Sequence, residues 1–247
     1  MALFEARQLH KRFGDQVVLE DITLAFEQGR LSGIMGPNGA GKTTCFNVLT
    51  GRYRPDRGQV VFDGEDITGL APHAIARRGI ARSFQLMNLF DEYSALENVL
   101  LALPEVRRRA LDCWRPLLDD DDACERAMQV LRDVGLGGRA LEPARRLAYG
   151  ERRALEIGLA LAARPKILFL DEPTAGLGMA GTSQLMELVL ELKQRYTMVI
   201  IEHDMRFLFR LADTISVIHW GQVIAEGTPD ELRADPWVAA SEIGAAR

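Results

Sequence analysis

The 247-residue chain is predicted to be an α/β protein: a mostly parallel sheet flanked by helices, with an N-terminal antiparallel β subdomain and an inserted α-helical subdomain. Three observations predict this. Residues up to about 30 alternate apolar and polar side chains, residues 86–163 are rich in helix-period sequence, and short apolar strands alternate with helices from residue 164 onward.

Taken in order, Phe4 to Leu9 and Val17 to Phe26 read as antiparallel strands joined at Gly14-Asp15, with Gln28-Gly29 as the next turn. Leu31 to Met35 is a short apolar strand that runs into a glycine-rich turn, and Thr43 to Thr50 has helical character until Gly51 stops it. Val60 to Phe62 followed by Asp63-Gly64 predicts a hairpin. Helices are expected at Ala95 to Leu103, Leu111 to Leu117, Ala123 to Val134 and Glu151 to Ala163, separated by Pro104, the Asp119 to Asp122 run, Gly135 to Gly138 and Pro143. The Asp run lacks calcium-loop spacing and is read as a solvated loop. Strands then return at Ile167 to Leu170, Met198 to Ile201 and Ile215 to Ile218, with helices at Gly181 to Gln194 and Asp204 to Leu211 between them.

Composition sets further bounds. At 47% hydrophobic and 26% charged residues the chain can bury a substantial core, yet apolar runs such as Lys166 to Leu170 end too soon to span a bilayer. Nothing in Met1 to Arg12 resembles a secretory signal, so a cytoplasmic placement is expected. Cys45, Cys113 and Cys124 are an odd number without paired spacing, which argues against a disulfide framework or a structural zinc site. A net charge of −5 offers no general attraction for polyanions, so no nucleic-acid partner is expected.

Chemistry concentrates in two places. Gly36, Pro37, Asn38, Gly39, Ala40, Gly41, Lys42 and Thr43 fit the Walker A pattern G-x-x-x-x-G-K-[ST], and the run sits after a strand and before a helix. Glycines let the backbone curl so that N–H groups face phosphate oxygens, and the helix N-terminus adds its positive dipole end. Lys42 would neutralise the β- and γ-phosphates, Thr43 would offer its hydroxyl to Mg²⁺, and Thr44 closes the nucleotide-binding run. The second place is the buried-type strand Ile167 to Leu170, which ends in Asp171-Glu172. Adjacent carboxylates at a strand's carboxyl end are expensive unless they face a cation or solvent. Asp171 is therefore a candidate Mg²⁺ partner, direct or one layer removed, and Glu172 the candidate that polarises the attacking water.

Leu147-Ala148-Tyr149-Gly150-Glu151 precedes that pair and resembles the signature pentapeptide LSGGQ of ABC ATPases. The resemblance covers nearly the whole chain and implies a P-loop NTPase: a single domain over 1–247, with a RecA-like core and β subdomain in 1–85 and 164–247, and a helical subdomain carrying the signature in 86–163. By the same resemblance Gln85, in Arg82-Ser83-Phe84-Gln85, would contact Mg²⁺ and the attacking water. His203, in Ile201-Glu202-His203-Asp204, would contact the γ-phosphate, and Phe13 would stack on adenine. Two such domains pair head to tail, so Ala148, Tyr149, Gly150 and Glu151 would face ATP held by the partner's Walker A loop.

Within the family, Tyr149 to Ile157, Gly79 to Gln85 and Ala225 to Pro229 with the tail to Arg247 resemble the ATPases of branched-chain amino acid, amide and urea importers. The implied activity is ATP hydrolysis that energises solute import from the cytoplasmic face of the inner membrane. The implied partners are integral membrane permease subunits, a second ABC ATPase subunit, identical or related, and an extracytoplasmic solute-binding protein in the same complex. Competing readings are an exporter motor and a soluble ABC ATPase acting on nucleic acid or ribosomes; the latter usually has two ATPase domains or a long coiled-coil insertion, neither present here. Departures from the family pattern are Ala148 for serine, Glu151 for glutamine and Gly178 where aspartate is usual. Losing the serine hydroxyl removes a hydrogen bond to phosphate of about 1.5–3 kcal/mol. The composite site receiving this signature is thus expected to be the poorer of two in a heterodimer.

Overall fold

The computed structural model describes residues 2–83, 89–108, 117–235 and 238. Strands β1 (Ala2–Phe13), β2 (Gln16–Glu27), β4 (Arg57–Phe62) and β5 (Glu65–Asp66) form an antiparallel sheet in the order β2-β1-β4-β5. The second sheet runs β10 (Gln222–Gly227), β9 (Thr214–His219), β3 (Leu31–Met35), β8 (Thr197–Ile201), β7 (Ile167–Asp171), β6 (Ile80–Arg82). All its pairings are parallel except the β9/β10 hairpin at the edge. The mixed α/β architecture expected from the alternation of elements is the one present.

Helices α1 (Lys42–Leu49), α2 (Pro72–Arg77), α3 (Ala95–Ala102), α4 (Pro104–Arg108), α5 (Asp121–Asp133), α6 (Tyr149–Ala162), α7 (Met179–Lys193), α8 (Met205–Leu211) and α9 (Pro229–Ala234) complete the fold. The expected helix at Leu111 to Leu117 falls almost wholly outside the described residues. The Asp run is not a plain loop. Asp120 caps α5 by accepting from the Ala123 amide at 3.1 Å, and Asp121 and Asp122 occupy the helix's first turn, where carboxylates oppose the positive dipole end.

The parallel sheet lies between two cores because its strands alternate sides. Leu168, Leu170, Met198, Ile200, Ile215 and Val217 face the core shared with the helices. Ile167, Phe169, Val199, Ile201, Ile34 and Ile218 face the core shared with the β subdomain and α1. Phe169 anchors the second core, with ring centroids 5.2 Å from Phe4, 5.6 Å from Phe46 and 6.1 Å from Phe26. Strands covered on both faces carry continuous apolar runs, which is why β3, β7 and β8 are buried at every residue. Among the described residues no helix is long and apolar enough to cross a membrane. Cys45 sits in this core with its thiol pushed up to about 12 by burial, and is chemically quiet.

Candidate functional site

The topology brings the carboxyl ends of β3, β8, β7 and β6 side by side. Cα partners Ile34 and Ile201, Ile201 and Asp171, and Arg82 and Phe169 fix the register. The loops that leave this edge carry the Walker A run, His203 and Glu172, and Gln85 follows β6 but lies outside the described residues. Crevices at this edge of an open α/β sheet are where ligands bind.

Gly36 through Gly41 curl from β3 into α1. Gly41 caps α1 at φ 98°, and a Cβ there would lie 2.7 Å from the Val18 carbonyl oxygen, so a close approach as well as a left-handed backbone requires glycine. Hydrogen bonds from the Ala40 amide to Pro37 O (3.2 Å) and from the Gly221 amide to Ala40 O (3.0 Å) hold the loop from inside and outside. No carboxylate occupies the first turn of α1, and Gly41 supplies no side-chain cap, so the dipole end suits an anion. Asn38, Gly39 and Thr43 are exposed, Pro37 and Thr44 half-buried. Lys42 is buried and its Nζ donates to Gly36 O (2.7 Å) and Pro37 O (2.9 Å). Burial pulls its pKa down, while the negative charges of Glu172 and Glu202 oppose that shift.

Asp171 is buried, with Oδ2 accepting from Arg82 Nη2 at 3.0 Å. Its pKa is raised by burial, against the pull of Arg82. Arg82 also donates to Asn47 Oδ1 on α1 (2.7 Å) and to Oγ1 of Thr50, which caps that helix (2.9 Å), and lies over the Phe46 ring, so it locks the Walker A helix to the strand that carries Asp171. Glu172 is half-buried and adopts φ 43°, unusual for a residue with a Cβ. Glu202 is wholly buried; its Oε1 accepts from Thr174 N (2.8 Å) and Oγ1 (2.6 Å), and its Oε2 accepts from His203 N (3.2 Å). Burial raises its pKa. His203 itself is exposed. Phe13 ends β1 with a partly exposed ring stacked edge-on to Tyr53 at 5.3 Å, and Lys11 Nζ lies 5.4 Å from it.

The turn Leu147 to Glu151 opens α6. Ala148 is its N-cap, exposed and without a side-chain acceptor, while Glu151 folds back so that Oε2 accepts from the Ala148 amide at 2.8 Å. This is half of a capping box: the glutamate arm is present and the hydroxyl arm is missing. The other carboxylate oxygen of Glu151, Oε1, lies 3.4 Å from Arg139 Nε. Tyr149 is exposed and its hydroxyl donates to Ala175 O at 3.2 Å; Gly150 is half-buried with nothing closer than 3.6 Å to a Cβ built on it. The turn therefore lies open at Ala148 and Tyr149. Ala148→Ser completes the capping box and is expected to stabilise the protein by about 1 kcal/mol, roughly 2–4 °C in melting temperature for a chain of this size. A melting temperature that stays flat or falls in thermal unfolding would contradict this reading of the turn.

Three side chains that hold the site were missed by sequence reasoning: Arg82, Arg153 and Glu202. The available signals were a charge closing the β6 segment, a carboxylate beside His203, and an arginine heading the Arg153, Ile157, Leu161 stripe of α6. Magnesium fits the oxygen donors present. Thr43 offers an exposed hydroxyl and Asp171 a carboxylate, hard donors of the kind magnesium takes alongside substrate phosphates. Among the described residues no group of three or more His, Cys, Asp or Glu could hold an ion by itself.

The sequence profile of the ABC transporter family matches residues 19–175. The chain is 38% identical to the high-affinity branched-chain amino acid transport ATP-binding protein BraF of Pseudomonas aeruginosa, over 99% of this chain and 98% of that one. It is 33% identical to the lipopolysaccharide export system ATP-binding protein LptB of Acidithiobacillus ferridurans, over 98% and 97%. Among solved structures, the ADP conformation of an ABC transporter's ATP-binding cassette superposes with a TM-score of 0.87 at 31% identity, covering 100% of both chains. A dimeric post-hydrolysis cassette bound to ADP and Pi matches with a TM-score of 0.73 at 25% identity, over 92% of this chain and 98% of that one.

Proposed function

The chain belongs to the ABC transporter family as an ATP-binding, ATP-hydrolysing subunit, and on that premise we propose that it energises import of branched-chain amino acids or of chemically similar amides or urea. The observation that carries the ATPase part of the reading is the shared edge of the parallel sheet, where Lys42, Asp171, Glu172 and His203 stand at or just beyond the carboxyl ends of the adjacent strands β3, β7 and β8, and the likeness to branched-chain amino acid transport ATPases supports the solute class.

Lys42 and the amides of Gly39 to Thr43 bind and orient the triphosphate, Phe13 offers its ring face to adenine, and His203 reaches the γ-phosphate. Glu172 accepts a proton from the attacking water as the new P–O bond forms and the bridging bond to the β-phosphate breaks. Thr43, Asp171 and Gln85 would hold Mg²⁺, which when bound spreads the negative charge of the β- and γ-phosphates. The α6 N-terminus, through Ala148, Tyr149 and Gly150, closes on nucleotide held by a second ABC ATPase subunit, so ATP joins the pair and its cleavage releases it.

Coupling to membrane permease subunits is supported by a cavity of about 750 Å³ between helices α2, α3, α4 and α6 and β6, with Thr50, Ile75, Arg82, Ala102 and Glu156 on its wall. At its rim Phe90, 56% exposed, stacks on Tyr93, 47% exposed, and buried Asn98 pins that turn by donating to Phe90 O, Tyr93 O and Ser94 O. Two stacked aromatics held in solvent beside a groove suit a cytoplasmic permease loop. Such a subunit sits peripherally on the cytoplasmic face of the inner membrane, in a complex that an extracytoplasmic solute-binding protein supplies. Because an export ATPase is also similar, direction follows from the permease. The test is to purify the chain from solubilised membranes. A multi-span permease with a second ATPase is the expected companion, whereas a ribosomal or nucleic-acid partner with no membrane protein would overturn the import reading.

A further inference from the structure

We propose that Arg153 is a positioning residue that ties α6 to the turn bearing Glu172, so that displacement of the α6 N-terminus is felt at that carboxylate. The inference rests on the reading of Glu172 and of the Ala148 to Gly150 turn given above, and adds a group that neither uses.

Arg153 lies one turn into α6 and is 3% exposed. Its guanidinium takes three consecutive carbonyls of the loop leaving β7: Nη2 donates to Asp171 O (3.0 Å) and Glu172 O (3.1 Å), and Nε donates to Pro173 O (3.1 Å). Nη1 donates to Glu156 Oε2 at 2.5 Å, an i, i+3 pair buried on both sides that fixes the rotamer. A planar fork with five N–H donors can do this; an ammonium, a point charge with three donors on a flexible stem, cannot hold three carbonyls and a carboxylate at once.

The held loop is under constraint. Glu172 keeps its left-handed φ of 43° while its own amide donates to Ile201 O at 2.9 Å, and conformations of that kind persist only where the surroundings over-determine them. Arg153 provides part of that determination by gripping the carbonyls before, at and after Glu172. The same two segments meet a second time, where the Tyr149 hydroxyl donates to Ala175 O and Gly176, at φ 77°, leaves room that a Cβ 2.7 Å from the hydroxyl would take away. From Gly150 to Arg153 is about 4.5 Å along a rigid helix. A push on the first turn therefore reaches the loop without loss in a flexible linker. In a head-to-tail pair the α6 N-terminus faces one nucleotide and Glu172 serves the other, so the guanidinium joins the two phosphate sites mechanically. Glu156 also lines the cavity beside β6, which places an occupant of that groove one ion pair from the same loop.

The test compares the full chain in its purified complex with Arg153→Lys and with the double variant Arg153→Met/Glu156→Leu, which removes both charges together and leaves no buried ion unpaired. Both are expected to lose about ten- to hundredfold in kcat, the range a misplaced catalytic group produces, while ATP affinity from a fluorescent analogue stays within about threefold. Hydrogen exchange should quicken at the amides of Glu172 and of residues 174–176, Pro173 having none, and not in α1 or β8. The proposal is overturned if the double variant keeps wild-type kcat with unchanged exchange at 172–176, if Arg153→Lys behaves as wild type, or if exchange quickens uniformly through the chain while kcat is preserved. Glu172→Gln, run alongside, separates the two readings: normal turnover in that variant removes the role of Glu172, whereas its loss together with an intact double variant removes only the role of Arg153.

Discussion

Glu172→Gln is expected to lower ATP turnover by roughly 10²–10⁴-fold, the usual contribution of a positioned general base, while leaving nucleotide affinity close to that of the parent chain. The amide has the size of the carboxylate and can still accept a hydrogen bond from water, but it cannot take the proton. Backbone geometry should survive, because the φ of 43° at Glu172 is held through its own main chain: its amide on Ile201 O, its carbonyl on the Arg153 guanidinium and the Ala175 amide. Nothing in that set involves the side chain that changes. Lys42 loses the attraction of Glu172 and keeps that of Glu202 and its bonds to Gly36 O and Pro37 O, so the cation proposed to bind phosphate should remain in place. ATP-bound pairs should then accumulate, visible as a nucleotide-dependent shift in size-exclusion or light-scattering mass. Turnover at the parent rate would mean that water is activated elsewhere at this edge and would withdraw the mechanism.

How far the site could be read in advance depended on whether its parts leave a mark on residue type. The Walker A loop was legible because each of its constraints selects a particular residue: glycine where Gly41 meets the Val18 carbonyl, lysine and threonine at the helix start. Asp171 and Glu172 stood out as acids closing an apolar strand. Arg153 left a fainter mark, since beyond Glu156 its partners are carbonyls, which every residue possesses. Arg82 was visible only as a letter beside Gln85, its role depending on Asn47 and Thr50, 35 and 32 residues away in sequence.

The fold shows the same division. Strands buried on both faces announced themselves as apolar runs, and the β1/β2 hairpin as an alternation around Gly14. The strand β6 was overlooked, being three residues that end in arginine, as was the edge strand β10, whose side chains alternate between half-buried and exposed. Short helices such as α2 and α9 show too few turns for a period to emerge, and tertiary packing decides them. The capping box of α9, with Thr228 and Glu231, was nonetheless written in the Thr-x-x-Glu spacing.

The second large effect is expected at Lys42→Ala, which should weaken ATP binding by roughly 10²–10⁴-fold, the loss of two charge-assisted hydrogen bonds of about 1.5–3 kcal/mol each. Lys42 is poised for this. Its Nζ already points under the loop onto Gly36 O and Pro37 O, so the side chain is ordered and little freedom remains to be lost when phosphate oxygens arrive. Removing it also withdraws a positive charge that acts on Glu172 and Glu202, and the negative charge that remains would repel a triphosphate at the same edge. The two contributions can be separated. Lys42→Ala combined with Glu172→Gln removes one of the repelling charges, so it should recover part of the affinity if repulsion matters and none if only the lost donors count. Titration of a fluorescent ATP analogue, with and without magnesium, reads both. An affinity unchanged in Lys42→Ala would mean that the loop after β3 does not carry the nucleotide, and the roles given to Thr43, Asp171 and His203 would fall with it.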